Sequence, residues 1–392
     1  MPEYLKSDVF LFAGEASGDL HGAKLLKALK DHLPDLQATG VPGKEMRRIG
    51  MQSIIDMEEF QVMGFTDVAL SLPKLIKSFK KICNHILEAN PCAAILIDYP
   101  GFNLRLAKAL RKKGYQGKII HYISPSVWAW QPKRARILEK YVDLLLTIYP
   151  FEKEWYNHTK LNVAYVGNPL KEYILKHKYN EDWKKILKIP QAQKIIALFP
   201  GSRPSEIHKN FPLQLKAAEL LSRDKDDLLF AVSCSSLEQK ELLLSMVQKS
   251  ALKHGQNLFI VPKEFSYELM RDAFAAVAKS GTVTLELALH ACPTIVTYEL
   301  SWLNQAIAKH VLRINLPNYC IVNILAKERL FPELIGHAIQ PYKVYEELLH
   351  ITSNEDHHKR IIAKCQQLSH SLEDGNTSER AAKLIIQEMS YA

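Results

Sequence analysis

A chain of 392 residues, 47% of them hydrophobic, is long enough for two domains that each bury a core. Its 51 basic and 42 acidic residues leave a net charge of +9, which suits anionic ligands, nucleic acid or an acidic membrane surface without choosing among them. The six cysteines (Cys83, Cys92, Cys234, Cys292, Cys320, Cys365) form no CxxC pair, Val9 to Ala13 is too short for a signal peptide, and no run reaches the ~20 apolar residues of a membrane span, so a cytoplasmic protein with buried thiols and no zinc or disulfide framework is expected.

Strand-turn-helix units recur along the chain. Asp8 to Phe12 reads as a strand, GEASGD (Gly14 to Asp19) as a loop and Leu20 to Leu33 as a helix. Gly14 and Gly18 suit a close ligand approach or a plain tight turn. The grouping of Glu15, Ser17 and Asp19 is harder to explain as packing. Over 62–88, Leu72, Leu75, Ile76, Phe79, Ile82, Cys83 and Ile86 form a helical stripe with Lys74, Lys77, Lys80 and Lys81 beside it. That pattern fits a helix packed on a sheet or a basic helix dipping into an anionic membrane. Ala93 to Ile97 is an unbroken apolar strand, followed by Asp98, a Pro100-Gly101 turn and an amphipathic helix from Asn103. In an open parallel sheet, Asp98 stands at the edge that faces ligand; it could equally cap its helix.

Lys118 to Ile123 is a strand before SPSVWAWQPKRAR (Ser124 to Arg136), a stiff loop with a short basic run. Strands at Leu144 to Ile148 and Val163 to Val166 lead into Pro150-Phe151-Glu152 and Gly167-Asn168-Pro169. The polar, lysine-rich stretch 171–193 marks a domain boundary. The alternation restarts with strands at Lys194 to Phe199, Leu228 to Ser233, Leu258 to Val261, Ala275 to Ala278 and Thr294 to Tyr298. The intervening helices start near Asn210, Leu237 and Ser266, one follows Thr294 to Tyr298 through Leu312, and the chain from Tyr342 is helical only. Two successive doubly wound α/β halves with a helical tail describe the architecture. In the second half, PGSR (Pro200 to Arg203) offers N–H and hydroxyl donors with a planar guanidinium fork for phosphate. SGTVTLE (Ser280 to Glu286) puts Gly281 and Thr282 at a helix start where a pyrophosphate could sit, with Glu286 one turn in to accept ribose hydroxyls. A capping motif led by Ser280 or Thr282 fits the same residues. No metal site, nucleophile elbow or Walker loop is present.

GEASGD, IDYPGFNLRLAKALRKKG, SPSVWAWQPKRA, YPFE, VGNP, PGSR and KSGTVTLELAL occur in this order. As an ordered set they make the chain closely resemble the lipid-A-disaccharide synthases, glycosyltransferases of the two-domain GT-B architecture, over most of 8–337. The resemblance implies two Rossmann-like domains facing a cleft: an acceptor domain (1–175), a nucleotide-sugar domain (176–340) and a C-terminal helical segment (341–392) that crosses back to the first. It implies inverting transfer of 2,3-diacylglucosamine from its UDP ester to 2,3-diacylglucosamine 1-phosphate, giving a β-1,6 disaccharide and UDP, with no cofactor. Another UDP-sugar GT-B enzyme, such as the peptidoglycan N-acetylglucosaminyltransferase, is the alternative.

On that resemblance Asp98 is the base, at a pKa that need not be much raised. Ser202, Arg203, Ser280, Gly281, Thr282 and Glu286 bind the nucleotide. Glu15, Ser17, Asp19, Asn168, Asn318 and Asn323 contact acceptor or sugar. Both asparagines of LPNYCIVNILAKERLFPELIGH (Leu316 to His337) compete for one family position, and Gly336 replaces the family glutamine. Because both substrates carry acyl chains, Leu72, Leu75, Ile76 and Phe79 are expected to touch the cytoplasmic face of the inner membrane, a homodimer stays open, and nucleic acid is not a partner.

Overall fold

The computed structural model describes residues 8–61, 68–130, 133–299, 317–373 and 375–390. The chain divides into two compact units, 1–172 together with 374–392, and 173–373.

In the first unit, β1 (Asp8–Ala13), β2 (Gln37–Val41), β3 (Gln52–Ser53), β4 (Ala93–Ile97), β5 (Lys118–Tyr122), β6 (Leu144–Thr147) and β7 (Asn162–Tyr165) form one parallel sheet. The order is β3-β2-β1-β4-β5-β6-β7. Strands β1 and β4 are buried on both faces, as their unbroken apolar runs require. After β1 the chain winds one way to β2; after β4 it winds the other way to β5. The crevice at the carboxyl ends of β1 and β4 is therefore the topological switch point, where open α/β sheets bind ligand.

The second unit repeats the plan with β8 (Lys194–Phe199), β9 (Leu228–Cys234), β10 (Leu258–Pro262), β11 (Ala273–Lys279), β12 (Thr294–Glu299) and β13 (Glu333–Gly336) in the order β10-β9-β8-β11-β12-β13. Its switch point lies between β8 and β11, where Ala278 pairs with Phe199.

The helices used below are α1 (Ala16–His32), α2 (Lys44–Arg48), α3 (Val68–Ala89), α4 (Pro100–Lys112), α5 (Pro169–Lys176), α6 (Pro204–Asp224), α7 (Thr282–Leu289), α8 (Ile321–Ala326) and α9 (Thr377–Met389). Several boundaries differ from the sequence reading. Helix α1 begins at Ala16, so Ser17, Gly18 and Asp19 lie in its first turn rather than in a loop. Helices α4 and α6 begin at Pro100 and Pro204, because proline at the first helical position needs no N–H and presets φ. The expected tail 341–392 is split: residues up to 373 belong to the second unit, and only α9 returns to the first, where it packs on α1 and buries Ala381, Ala382, Ile385 and Met389 in that core. The helix expected through Leu312 falls largely in 300–316, outside the described residues.

Candidate active site

At the first switch point, Asp98 leaves β4 with its N–H still donating to Tyr122 O at 2.9 Å. Both Asp98 and Tyr99 then adopt left-handed backbone, with φ of 48° and 46°. Each costs about 1–2 kcal/mol for a non-glycine residue, so the surroundings must hold the turn. Two features do so. The Tyr99 ring lies flat over Gly14, where a Cβ would come within 2.6 Å of Tyr99 Cγ. Below the turn Phe12 stacks on Phe102 at 4.7 Å, with Tyr99 tilted against Phe12. Gly14 is thus a site of ring contact, and this packing brings the β1 loop beside Asp98. Burial, followed by the negative charge of Glu15, pushes the Asp98 carboxyl above the usual carboxylate range, while the Tyr99 N–H pulls the other way. The turn withdraws the carboxylate from water next to a second acid, and both disfavour its charged form.

The other residues of GEASGD divide. Glu15 and Ser17 are exposed at the start of α1. Asp19, expected to face the acceptor, is instead 4% exposed and accepts N–H bonds from Gly43, Glu45 and Met46 at 2.8–3.0 Å. Its carboxylate caps α2. Asn168 is likewise taken up by the fold: it is 1% exposed, its Nδ2 donates to Ile148 O, and its Oδ1 accepts from Leu170 N at the start of α5. The SPSVWAW and YPFE motifs meet at the carboxyl ends of β5 and β6. There Trp128 packs edge-on against Phe151 at 5.0 Å and donates from Nε1 to Glu152. Burial pushes Glu152 up to about 8, against three donors that favour its charged form.

At the second switch point, the PGSR loop is not an empty anion cradle. Glu206 Oε2 accepts from Ser202 N at 3.0 Å and Arg203 N at 3.4 Å, and Glu206 Oε1 accepts from Lys279 Nζ at 3.1 Å. Gly201, at φ 118°, gives Glu206 its room: a Cβ there would meet Glu206 Oε2 at 2.6 Å. The loop amides expected to serve a phosphate are therefore held by the helix's own third residue, and Lys279 ties the β8 loop to the β11 loop. Arg203 and Ser202 are exposed beside this carboxylate. Across the crevice Ser280 N donates to Thr297 O, and Gly281 and Thr282 open α7 exposed, where a Cβ on Gly281 would meet no other element within 4 Å among the described residues. Gly281 is the N-cap and no side chain caps it. Glu286 does not bond backwards; it accepts from Tyr267 Oη at 3.1 Å, and burial raises its pKa. The capping alternative for Ser280–Glu286 therefore fails.

The two asparagines are told apart by burial. Asn323, within α8, is 0% exposed; its Nδ2 donates to Phe331 O and Glu333 Oε1 and its Oδ1 accepts from Phe331 N. It ties α8 to the start of β13 and has no side-chain atom left for a sugar. Asn318 is half-buried just before α8, and its side chain makes no hydrogen bond among the described residues.

The lipid-A-disaccharide synthetase family model matches residues 9–388. The chain belongs to that family. A lipid-A-disaccharide synthase of Chlamydia pneumoniae is 44% identical over 333 residues, 85% of this chain and 54% of that protein. Lipid-A-disaccharide synthase 1 of Legionella pneumophila is 33% identical over 384 residues, 98% of both chains. The chain thus spans roughly half to three-fifths of the length of the chlamydial relatives it matches and nearly all of the Legionella one. Among solved structures, S. aureus MnaA with UDP superposes with a TM-score of 0.66 at 13% identity, covering 98% of both chains. Neisseria meningitidis UDP-GlcNAc 2-epimerase with UDP-GlcNAc gives 0.55 at 10%, covering 98% of this chain and 99% of that one. At such identities these likenesses show the GT-B class of fold alone.

Within the family fold, helix α3 divides along its length. Ile82, Cys83 and Ile86 are core, and Leu75 and Phe79 are half-buried, with Phe79 edge-on to Phe102 at 5.3 Å. Ile76 is 47% exposed, while the side chain of Leu72 falls outside the described ones. Of the expected membrane residues, Leu75 and Phe79 therefore already pack on the core. The sequence reading passed over Glu206, Lys279 and Tyr267. Glu206 had a signal: a Glu three residues after a helix N-cap is the capping-box position.

Proposed function

We propose that this chain is an inverting glycosyltransferase that moves 2,3-diacylglucosamine from its UDP ester to 2,3-diacylglucosamine 1-phosphate, giving the β-1,6 disaccharide 1-phosphate and UDP. The observation that carries the reading is Asp98, a carboxylate held in a left-handed turn at a switch point. Family membership supplies the substrate class. The acceptor hydroxyl attacks the anomeric carbon as the bond from that carbon to UDP breaks, and the hydroxyl proton passes to Asp98. Asp98's raised pKa suits this task, since a base closer to neutrality takes the proton more readily. Negative charge grows on the departing UDP, where Arg203, Lys279 and the open N–H groups at Gly281 and Thr282 offset it. Glu286 accepts the ribose hydroxyls, Asn318 the donor sugar, and Glu15 and Ser17 orient the acceptor. The diacyl substrates place the enzyme at the cytoplasmic face of the inner membrane, with Ile76 the exposed large apolar side chain of α3 among the described ones.

The test is incubation with UDP-diacylglucosamine and the monosaccharide 1-phosphate, followed by mass analysis of lipid and nucleotide. A disaccharide 1-phosphate with equimolar UDP is expected. Asp98→Asn should lower turnover at least ~100-fold at nearly unchanged UDP affinity. Absence of the disaccharide refutes the reaction; normal turnover of Asp98→Asn refutes the base.

A further inference from the structure

The best-buried polar side chain behind the reacting carboxylate is Asn103. It is 0% exposed in the first turn of α4. Its Nδ2 donates to Ile97 O at 3.2 Å and to Asp98 O at 2.5 Å, and its backbone N donates to Tyr99 O at 3.1 Å. One residue thus engages three successive carbonyls, the last of β4 and the two left-handed ones. Its Oδ1 has no hydrogen-bond partner among the described residues. A buried amide with one unsatisfied end is unfavourable in a core, where an apolar side chain would avoid the loss. The donor end must compensate, and what it holds is the turn that bears Asp98.

We propose that Asn103 is a positioning residue that fixes the direction of the Asp98 carboxylate by clamping the carbonyls of Ile97 and Asp98. The inference rests on the reading of Asp98 as the base. Without the clamp the peptide after Ile97 is free to leave the left-handed region, and the carboxylate swings away from the line of proton transfer. A misplacement on the order of 1 Å costs roughly 100-fold in turnover. Substrate binding through the second unit does not pass through this turn.

The test compares Asn103→Ala, Asn103→Ser, Asp98→Asn, the Asp98→Asn/Asn103→Ala double variant, and Leu106→Ala, a fully buried apolar residue about one turn further along the same helix that bonds none of these carbonyls through its side chain. Asn103→Ala should lower kcat ~10–100-fold, with the donor KM and UDP affinity changed less than threefold. Asn103→Ser, which retains a donor, should fall between it and the parent chain, and it stands in if the alanine variant does not fold. Leu106→Ala should lower Tm while holding kcat within threefold. In the Asp98→Asn background, Asn103→Ala should have less than a threefold further effect, because a clamp on an absent base changes little. Normal kcat in both Asn103 variants overturns the inference and leaves the base assignment standing if Asp98→Asn is inactive. Equal loss of kcat in Leu106→Ala, or a full additive loss in the double variant, also overturns it. Normal turnover of Asp98→Asn overturns both readings together.

Discussion

Replacing Gly14 by alanine puts the contact between the two sides of the first switch point to the test. The new Cβ would lie 2.6–2.8 Å from three atoms of the Tyr99 ring. That is about 0.8 Å short of ordinary contact, and the ring is wedged between Gly14 and the Phe12 and Phe102 rings. The clash cannot be relieved by a flexible tip, because the nearest atom is Cγ, fixed to a residue at φ 46°. Overpacking of this kind costs ~1–3 kcal/mol, which for a unit of this size lowers Tm by roughly 2–12 °C. Relief requires Tyr99 to move, and Tyr99 follows Asp98 directly, so a drop of ~100-fold in turnover should accompany the loss of stability. Thermal unfolding and steady-state kinetics of Gly14→Ala, Tyr99→Ala and the double variant form the assay. Removing the ring removes the clash, so Gly14→Ala should cost at least 1 kcal/mol less in the Tyr99→Ala background. Equal cost in both backgrounds would refute the argument that Gly14 exists to seat that ring.

The remaining predictions concern charge at the two switch points. Glu15 raises the pKa of Asp98, so Glu15→Gln should lower it. Because the base must be ionised to act, the acid limb of the kcat/KM profile should move to lower pH; a limb that stays put, or moves up, removes Glu15 as a cause. Lys279→Met would remove the ammonium that offsets the Glu206 carboxylate where the diphosphate is proposed to bind, and should weaken UDP binding about tenfold, ~1.4 kcal/mol. Glu206→Gln keeps an oxygen for the Ser202 and Arg203 amides and removes the charge, so UDP should bind no more weakly than to the parent chain. Calorimetric titration with UDP reads both, and unchanged affinity in Lys279→Met argues that this lysine only ties the loops.

Much of the fold was legible because buried parallel strands write themselves as apolar runs. Val9 to Phe12, Ala93 to Ile97 and Lys194 to Phe199 are central strands of this kind. The sequence reading missed β2, β3 and β13, whose sequences QATGV, QS and ELIG are short, part-exposed and at or near sheet edges. Such strands have one covered face or less, and hence no unbroken apolar run to detect. The left-handed turn at Asp98 and Tyr99 carries only a weak local signal: aspartate tolerates that region, but a tyrosine following it there does not announce it. It depends on Gly14 and Asn103, one of them more than eighty positions away in the chain.

Which motif residues remain available to a ligand is a matter of lone pairs, and burial decides it. A polar side chain shut away from water must be bonded within the fold, because an orphaned group costs ~1–3 kcal/mol. Asp19, Asn168 and Asn323 are exposed by 4%, 1% and 0%, and each makes two or more bonds to backbone. They belong to motifs yet hold helix starts and strand joints. Asp98, Glu286 and Asn318 are only half-buried, and Glu15, Ser17, Arg203 and Thr282 are exposed at strand ends or helix starts. Spacing alone gives both groups the same standing, since a helix-capping carboxylate and a substrate-facing one occur at the same strand edge. Glu206 stands between them: it satisfies two loop amides and a lysine, yet its side chain stays 21% exposed. A buried capping carboxylate could not give up those partners, whereas one at the surface can exchange them for water when a phosphate arrives. The second switch point therefore combines a capped loop with donors that an anionic ligand can still claim.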